Sequence, residues 1–326
     1  MKSAWILLVG STVVTTGSCV GDSMVTGDGG TDATQDQFAT DSGTDVADVG
    51  LDTADAGPCN MSEPFSTPAL VPGVNVGQSI FGTTFSSDEL TAYLGTVGTD
   101  GGGNHQIYVT TRPSTTSAFA TPTLLAGGVN NAANDERFPF VSADGLTLFV
   151  ADNYQTYSAT RASVQTTFGT PSSVPGVNTS SQNFYTETAY TNADGSHLFV
   201  LSNRDTGTQG AWIYEATLAG GGAYNTPTKI NELASPQYEG AVVSSGDALT
   251  LYFESGRSGM GSHVYVATRT SLTTPFQNVT EVTEVNSPGA TLDWPAWLST
   301  DSCRLYVLST RAGGGFELYV AARPAN

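Results

Sequence analysis

The sequence of 326 residues is poor in charge, and poorest in positive charge: 13% of its residues are charged, with 11 Lys and Arg against 30 Asp and Glu. After Lys2 no basic residue appears until Arg112. A formal charge of −19 leaves no basic face for phosphates, so nucleic acid is excluded as a partner. Direct adhesion to anionic lipid is disfavoured for the same reason. Long hydrophobic runs are missing too. The apolar stretch from Ala4 to Val14 is too short to span a bilayer. No segment has the period of a long amphipathic helix.

What the sequence has instead is glycine, 37 residues, and proline, 15, among many Thr, Ser, Val and Tyr. That balance suits short strands joined by turns. One phrase supplies the plan. "SADGLTLFV" at 142–150 returns as "SSDELTAYL", "NADGSHLFV", "SGDALTLYF" and "STDSCRLYV". Aligned on Asp88, Asp144, Asp194, Asp247 and Asp301, the phrases lie 56, 50, 53 and 54 residues apart, within the period range of propeller blades. Downstream stand "YVTTR", "YSATR", "YEATL", "YVATR" and "YVAAR", followed by "FATP", "FGTP", "YNTP" and the weaker "FQNV", then "GVN", "GVN", "IN" and "EVN". Each unit therefore offers four short strands. The recurring Asp reads as a hairpin-turn residue, because Asp and Gly tolerate the φ > 0 backbone of tight turns. The predicted fold class is all-β, a five-bladed β-propeller over 63–326.

These units resemble the TolB-type, WD-repeat-like propeller repeat, with its Ser-x-Asp-Gly-x-x-Leu-x-Phe turn and its Ser-x-Arg. The latter stands here as Ser202-Asn203-Arg204, Ser255-Gly256-Arg257 and Ser309-Thr310-Arg311, with Val97 and Asn153 at the Arg position of the first two units. The resemblance spans about residues 65–323. It implies a fold and not an activity, since this scaffold hosts binding modules and enzymes alike.

Lys2, the apolar stretch and "TTGSC" read as a signal peptide over 1–18. Cys19, after Gly17 and Ser18, resembles the lipobox of bacterial lipoproteins, although Thr16 stands where that family has Leu. The resemblance implies export, acylation at Cys19 and residence in the cell envelope, with Val20 favouring the outer membrane. The membrane is then met only through the lipid. Between Val20 and Pro58 lie nine Asp and no Glu, Lys or Arg. Spacings of three to six fit no calcium loop, so 19–62 reads as the lipidated Cys and a disordered, Asp-rich tether.

With Cys19 acylated, Cys59 and Cys303 remain as one pair, and exported proteins rarely leave thiols free. The fifth unit lacks its "FxTP…VN" strand, and that phrase occurs instead as "PFSTPALVPGVN" at 64–75. The N-terminal stretch is therefore expected to complete the last blade, with a Cys59–Cys303 disulfide clasping the ring.

Eight residues before the anchor Asp stand Glu136, Glu239 and Asp293, with Glu187 one place later in its unit and Ile80 in the first. On innermost strands these carboxylates reach similar depths around the channel. Three readings stay open. Either they bind a ligand at the channel mouth, or act there as acid and base in a glycoside hydrolase, or they pair with Arg204, Arg257 and Arg311 and hold the blades. Trp294 stacks on a sugar or packs in the core. His105, His197 and His263 occupy non-equivalent places, which argues against zinc. "GTDGGGNH" at 98–105 precedes no helix and reads as a plain loop. No metal or cofactor is expected. The functional expectation is an envelope-anchored, non-catalytic binding module for a protein or glycan. The alternative is a secreted glycan-cleaving hydrolase using the channel carboxylates.

Overall fold

A unit of about 50 residues cannot bury both faces of its own sheet, so units of this kind stack face to face. In the computed structural model, which describes residues 59–75, 79–97, 103–179, 185–205, 210–259, 261–288 and 291–326, they do so as five antiparallel sheets in a ring. The signal peptide, Cys19 and the tether up to residue 58 lie outside the described residues. Blade one is β2 (Ile80–Phe85), β3 (Thr91–Val97), β4 (His105–Thr111) and β5 (Thr123–Leu124). Blade two is β6 (Glu136–Val141), β7 (Thr147–Asp152), β8 (Gln155–Thr160) and β9 (Ser172–Ser173). Blade three is β10 (Thr186–Thr191), β11 (His197–Ser202), β12 (Trp212–Gly220) and β14 (Thr228–Lys229), with a short β13 (Ala223–Tyr224) also on β12. Blade four is β15 (Glu239–Ser244), β16 (Thr250–Ser255), β17 (His263–Thr268) and β18 (Gln277–Glu281). Blade five is β19 (Asp293–Leu298), β20 (Arg304–Ser309), β21 (Glu317–Ala322) and, from the other end of the chain, β1 (Ala69–Leu70). The first strands β2, β6, β10, β15 and β19 touch in sequence and β19 returns to β2, closing the ring around the axis. The fold is an all-β, five-bladed propeller, with no helix among the described residues.

The repeated phrases are the blade's fittings. In four blades a Ser hydroxyl (Ser86, Ser142, Ser245, Ser299) donates to the anchor Asp at 2.5–2.6 Å. The same Asp oxygen accepts the N–H of Leu90, Leu146, Leu249 or Cys303 at 2.9–3.0 Å. The residue after the Asp takes positive φ in all five turns: Glu89, Gly145, Gly195, Ala248 and Ser302. The Asp is a turn residue, as expected. The "YVTTR"-type Arg serves the same turn. Arg112, Arg161 and Arg269 lie over Phe119, Phe168 and Phe276 at 4.3–4.4 Å from the ring centroids. Each donates from Nε to a turn carbonyl, that of Glu89, Gly145 or Ala248. Blade three has Leu218 in place of the Arg, and there the Tyr224 hydroxyl reaches the Gly195 carbonyl itself at 2.9 Å.

The ring closes as the sequence predicts. Ala69 pairs with Val320 and Leu70 with Tyr319, so both chain ends build blade five. Cys59 and Cys303 form a disulfide with their Cα atoms 5.6 Å apart. Such a bond belongs to proteins outside the reducing cytosol. A second clasp joins blades one and five. The buried Glu89 takes Arg304 on both its oxygens and accepts the Tyr306 hydroxyl at 2.6 Å. Joining positions 244 apart removes much unfolded-state freedom. The Cys59→Ser/Cys303→Ser double variant should therefore lose about 2–4 kcal/mol in denaturant titration. An unchanged midpoint would show that β1 and the Glu89 network close the ring unaided.

Candidate functional site

Each innermost strand opens on a residue paired with the end of the second strand: Ile80 with Thr96, Glu136 with Asp152, Thr186 with Ser202, Glu239 with Ser255 and Asp293 with Ser309. This register corrects the Arg position in the first two blades. Asp152 stands at the Ser position of blade two, so Tyr154, not Asn153, stands where other blades have Arg; in blade one that place falls at residue 98, outside the described residues, and not at Val97. Thr186, not Glu187, is the counterpart of Glu239 and Asp293.

Glu239 and Asp293 are buried bolts between blades. Arg257 reaches Glu239 at 3.2 Å and Arg311 reaches Asp293 at 3.0 Å. The same guanidinium groups donate to the carbonyls of Leu233 and Val285, at the ends of the preceding blades. Arg204 makes the equivalent bond to Val177, with the Thr186 hydroxyl in place of a carboxylate. Glu136, also buried, has no Arg; Gln106 Nε2 and the Asn131 N–H donate to it at 3.2 and 3.1 Å. Burial, with Asp152 and Asp135 close by, pushes its pKa up to about 7. All three carboxylates are buried, at most 1% exposed. Among the described residues, Phe85, Phe140, Tyr190 and Trp297 line a cavity of about 70 Å³ between the innermost strands, and Phe140 and Tyr190 also line one of about 40 Å³.

One residue further along the innermost strands stand Phe81, Arg137, Glu187, Gly240 and Trp294. All five strands bulge just beyond this point, and such bulges re-aim side chains. Phe138 and Thr188 take φ of +49° and +45° there, and Gly82 is required because a Cβ would stand 2.5 Å from the Phe138 Cα. Arg137 bridges Asp135 and Glu187 at 3.2 Å each and lies over the exposed Tyr154 ring at 4.7 Å. Asp135 also holds His105 Nδ1 at 2.6 Å. Trp294 stacks on Phe316 at 3.9 Å between centroids, near Phe81, and its Nε1 donates to Ser262. So Trp294 is half-packed and half-mouth.

Two residues the sequence reading passed over complete the site. At Gly240 a side chain is absent, and Glu254 from β16 occupies the space, accepting the Ala241 N–H at 3.2 Å. Burial pushes Glu254 up to about 7, against hydrogen bonds from Ser262, Trp294 and Tyr238. Burial likewise pushes Glu187 up to about 7 despite Arg137. Tyr185 feels both carboxylates. The available signal was departure from the repeat: where β16 has Glu254, the other blades have Gly95, Ala151, Leu201 and Leu308.

No protein-family model and no curated protein matches the chain. Solved structures do. An α-L-arabinofuranosidase from Podospora anserina in complex with cellotriose matches at TM-score 0.53 and 13% identity, over 82% of this chain and 98% of that one. A putative TolB from Agrobacterium tumefaciens matches at 0.46 and 15%, over 79% and 91%. A puromycin-hydrolyzing peptidase from Mycobacterium tuberculosis matches at 0.43 and 13%, over 79% of this chain, which spans only 40% of the peptidase. At such identities the likeness is one of fold.

The titration behaviour of the site is testable. Glu136, Glu187 and Glu254 each hold a proton to higher pH in the fold than their ordinary value of 4.5. The native state then binds more protons than the unfolded one between about 4.5 and 7, so stability falls as pH rises through that window. Hydrogen bonds hold Asp144 and Asp194 low, so stability also falls at the acid extreme. Thermal denaturation should peak near pH 5. Glu136→Gln should stabilise the chain at pH 8 by about 1–2 kcal/mol. A flat profile from pH 5 to 8 would contradict these assignments.

Proposed function

We propose that the chain is an exported envelope protein, acylated at Cys19, whose propeller binds a glycan at the channel mouth without cleaving it. The carrying observation is a contrast within the repeats. Positions that pack and turn recur from blade to blade, whereas the mouth position differs in every blade and mixes aromatic with charged groups: Phe81, Arg137, Glu187, Gly240 with Glu254, and Trp294. Sugars offer an apolar C–H face and hydroxyls, and sites for them combine aromatic surface with a few fixed polar groups. The disulfide fits export. The packed channel and the engagement of Glu187 by Arg137 speak against hydrolysis.

A second reading, a glycan-cleaving hydrolase, draws on Glu187 and Glu254. A carboxyl that stays protonated to about pH 7 is what a general acid needs. The fold shared with the arabinofuranosidase is compatible with it.

On a glycan array the full chain should bind saccharide, Arg137→Ala should weaken that binding about tenfold, and the saccharide should be recovered uncut. Shortened products would favour the hydrolase; capture of protein with a blank array would overturn glycan binding. Cells fed a clickable fatty acid should label the chain, and Cys19→Ser should abolish the label. A labelled Cys19→Ser chain would refute the anchor.

A further inference from the structure

Glu254 is buried, 5% exposed, at a place where its four counterparts are Gly or apolar. Burying a carboxyl there costs stability relative to Leu or Ala, so its retention calls for another role. Its partners give that role. Glu254 accepts the Ala241 N–H, and its carboxyl lies beside Ser262, the Tyr238 hydroxyl and the Trp294 indole, which donates to Ser262; the two rings come from different blades. Tyr238 is 38% exposed and yet held twice. Its hydroxyl faces Ser262 and Glu254, and its ring lies against the backbone of Gly256, where a Cβ would stand 2.7 Å from Cε1. The blade-three counterpart of Gly256 is Asn203, so the space under the ring belongs to blade four. An exposed ring fixed at its edge and back has little freedom left to lose when a ligand stacks on it.

We propose that Tyr238 is the stacking platform of a site for neutral saccharide, and that Glu254 is the positioning residue that holds Tyr238 and Trp294 as its walls. This rests on the reading that the mouth binds a glycan and names the chemistry of that ligand. The preference for a neutral sugar follows from the charges facing the mouth. Glu187, Glu254 and Asp135 are acidic, and the guanidinium of Arg137 is engaged by Asp135 and Glu187. A uronic acid would meet the Asp135 carboxylate and, above about pH 7, two further carboxylates, with no free cation among these groups. A neutral ring can lay its C–H face on Tyr238 and direct hydroxyls to Glu187 and Arg137.

The test uses the full chain on an array printed with cello-, xylo- and malto-hexaose and hexagalacturonate, followed by calorimetric titration with the strongest neutral ligand. Wild type should prefer the neutral hexasaccharides. Tyr238→Ala should raise the dissociation constant about 20-fold, and Tyr238→Phe by less than about threefold. Tyr238→Phe keeps the ring and should melt like wild type. Glu254→Ala should weaken binding about tenfold, with Glu254→Gln recovering most of it. Neutral binding unaffected by Tyr238→Ala would overturn the platform and leave glycan binding standing. Preference for hexagalacturonate would overturn the neutral class. A wild-type chain that binds none of the four would overturn the platform together with the broader reading.

Discussion

The pairing of β1 with β21 is the contact on which the rest of the molecule depends. A propeller buries both faces of every blade only when its last sheet meets its first. An incomplete last blade would leave β21 as an open edge, available to other chains. Here the outer strand of blade five is drawn from residues before blade one, through Ala69–Val320 and Leu70–Tyr319. The pairing is only two residues long, and it is reinforced on both sides. Cys59 and Cys303 lock the incoming segment covalently, and Glu89 joins Arg304 and Tyr306 across the seam between blades one and five.

Within the closed ring, charge does structural work that hydrophobic packing alone does not specify. Arg257 and Arg311 each tie a buried carboxylate, a Ser hydroxyl and a backbone carbonyl of the preceding blade. Removing one partner of such a trio would leave an uncompensated buried charge, whose penalty exceeds the net worth of the pair. Blade two dispenses with the Arg and relies on amides; burial, with Asp152 opposite, holds Glu136 protonated well above the ordinary carboxylate range. The bolts are thus one solution, varied blade by blade, to the placing of adjacent sheets at a fixed angle.

The mouth follows the opposite logic. A repeat fixes the positions that every blade needs and leaves free those that face the axis at its open end. Gly240 and Glu254 show the freedom in use: one blade gives up a side chain on its first strand and supplies a carboxylate from its second. Neither residue resembles a catalytic motif, and only the fold brings the Glu254 carboxyl into the space that Gly240 leaves. The surrounding bulges, with Phe138 and Thr188 at positive φ, mark the same level of the channel as locally strained, as ligand-facing backbone often is.

The sequence by itself determined the architecture. Five spaced phrases set the number of blades, the missing fourth strand and its copy at 64–75 set the closure, and three cysteines left Cys59 and Cys303 to pair. These were legible because turn and packing requirements repeat, and repetition is visible in one dimension. The sequence also brought Glu136, Glu239 and Asp293 into one class, but whether they faced ligand or Arg depended on register and burial, which spacing does not carry. Register alone put Thr186 at the place of Glu239 and Asp293 in blade three and Tyr154 in the Arg position of blade two. The meeting of Glu254, Tyr238 and Trp294 was decided only by the tertiary structure, because the chain positions they join are equivalent in no repeat and touch only where two blades converge at the axis.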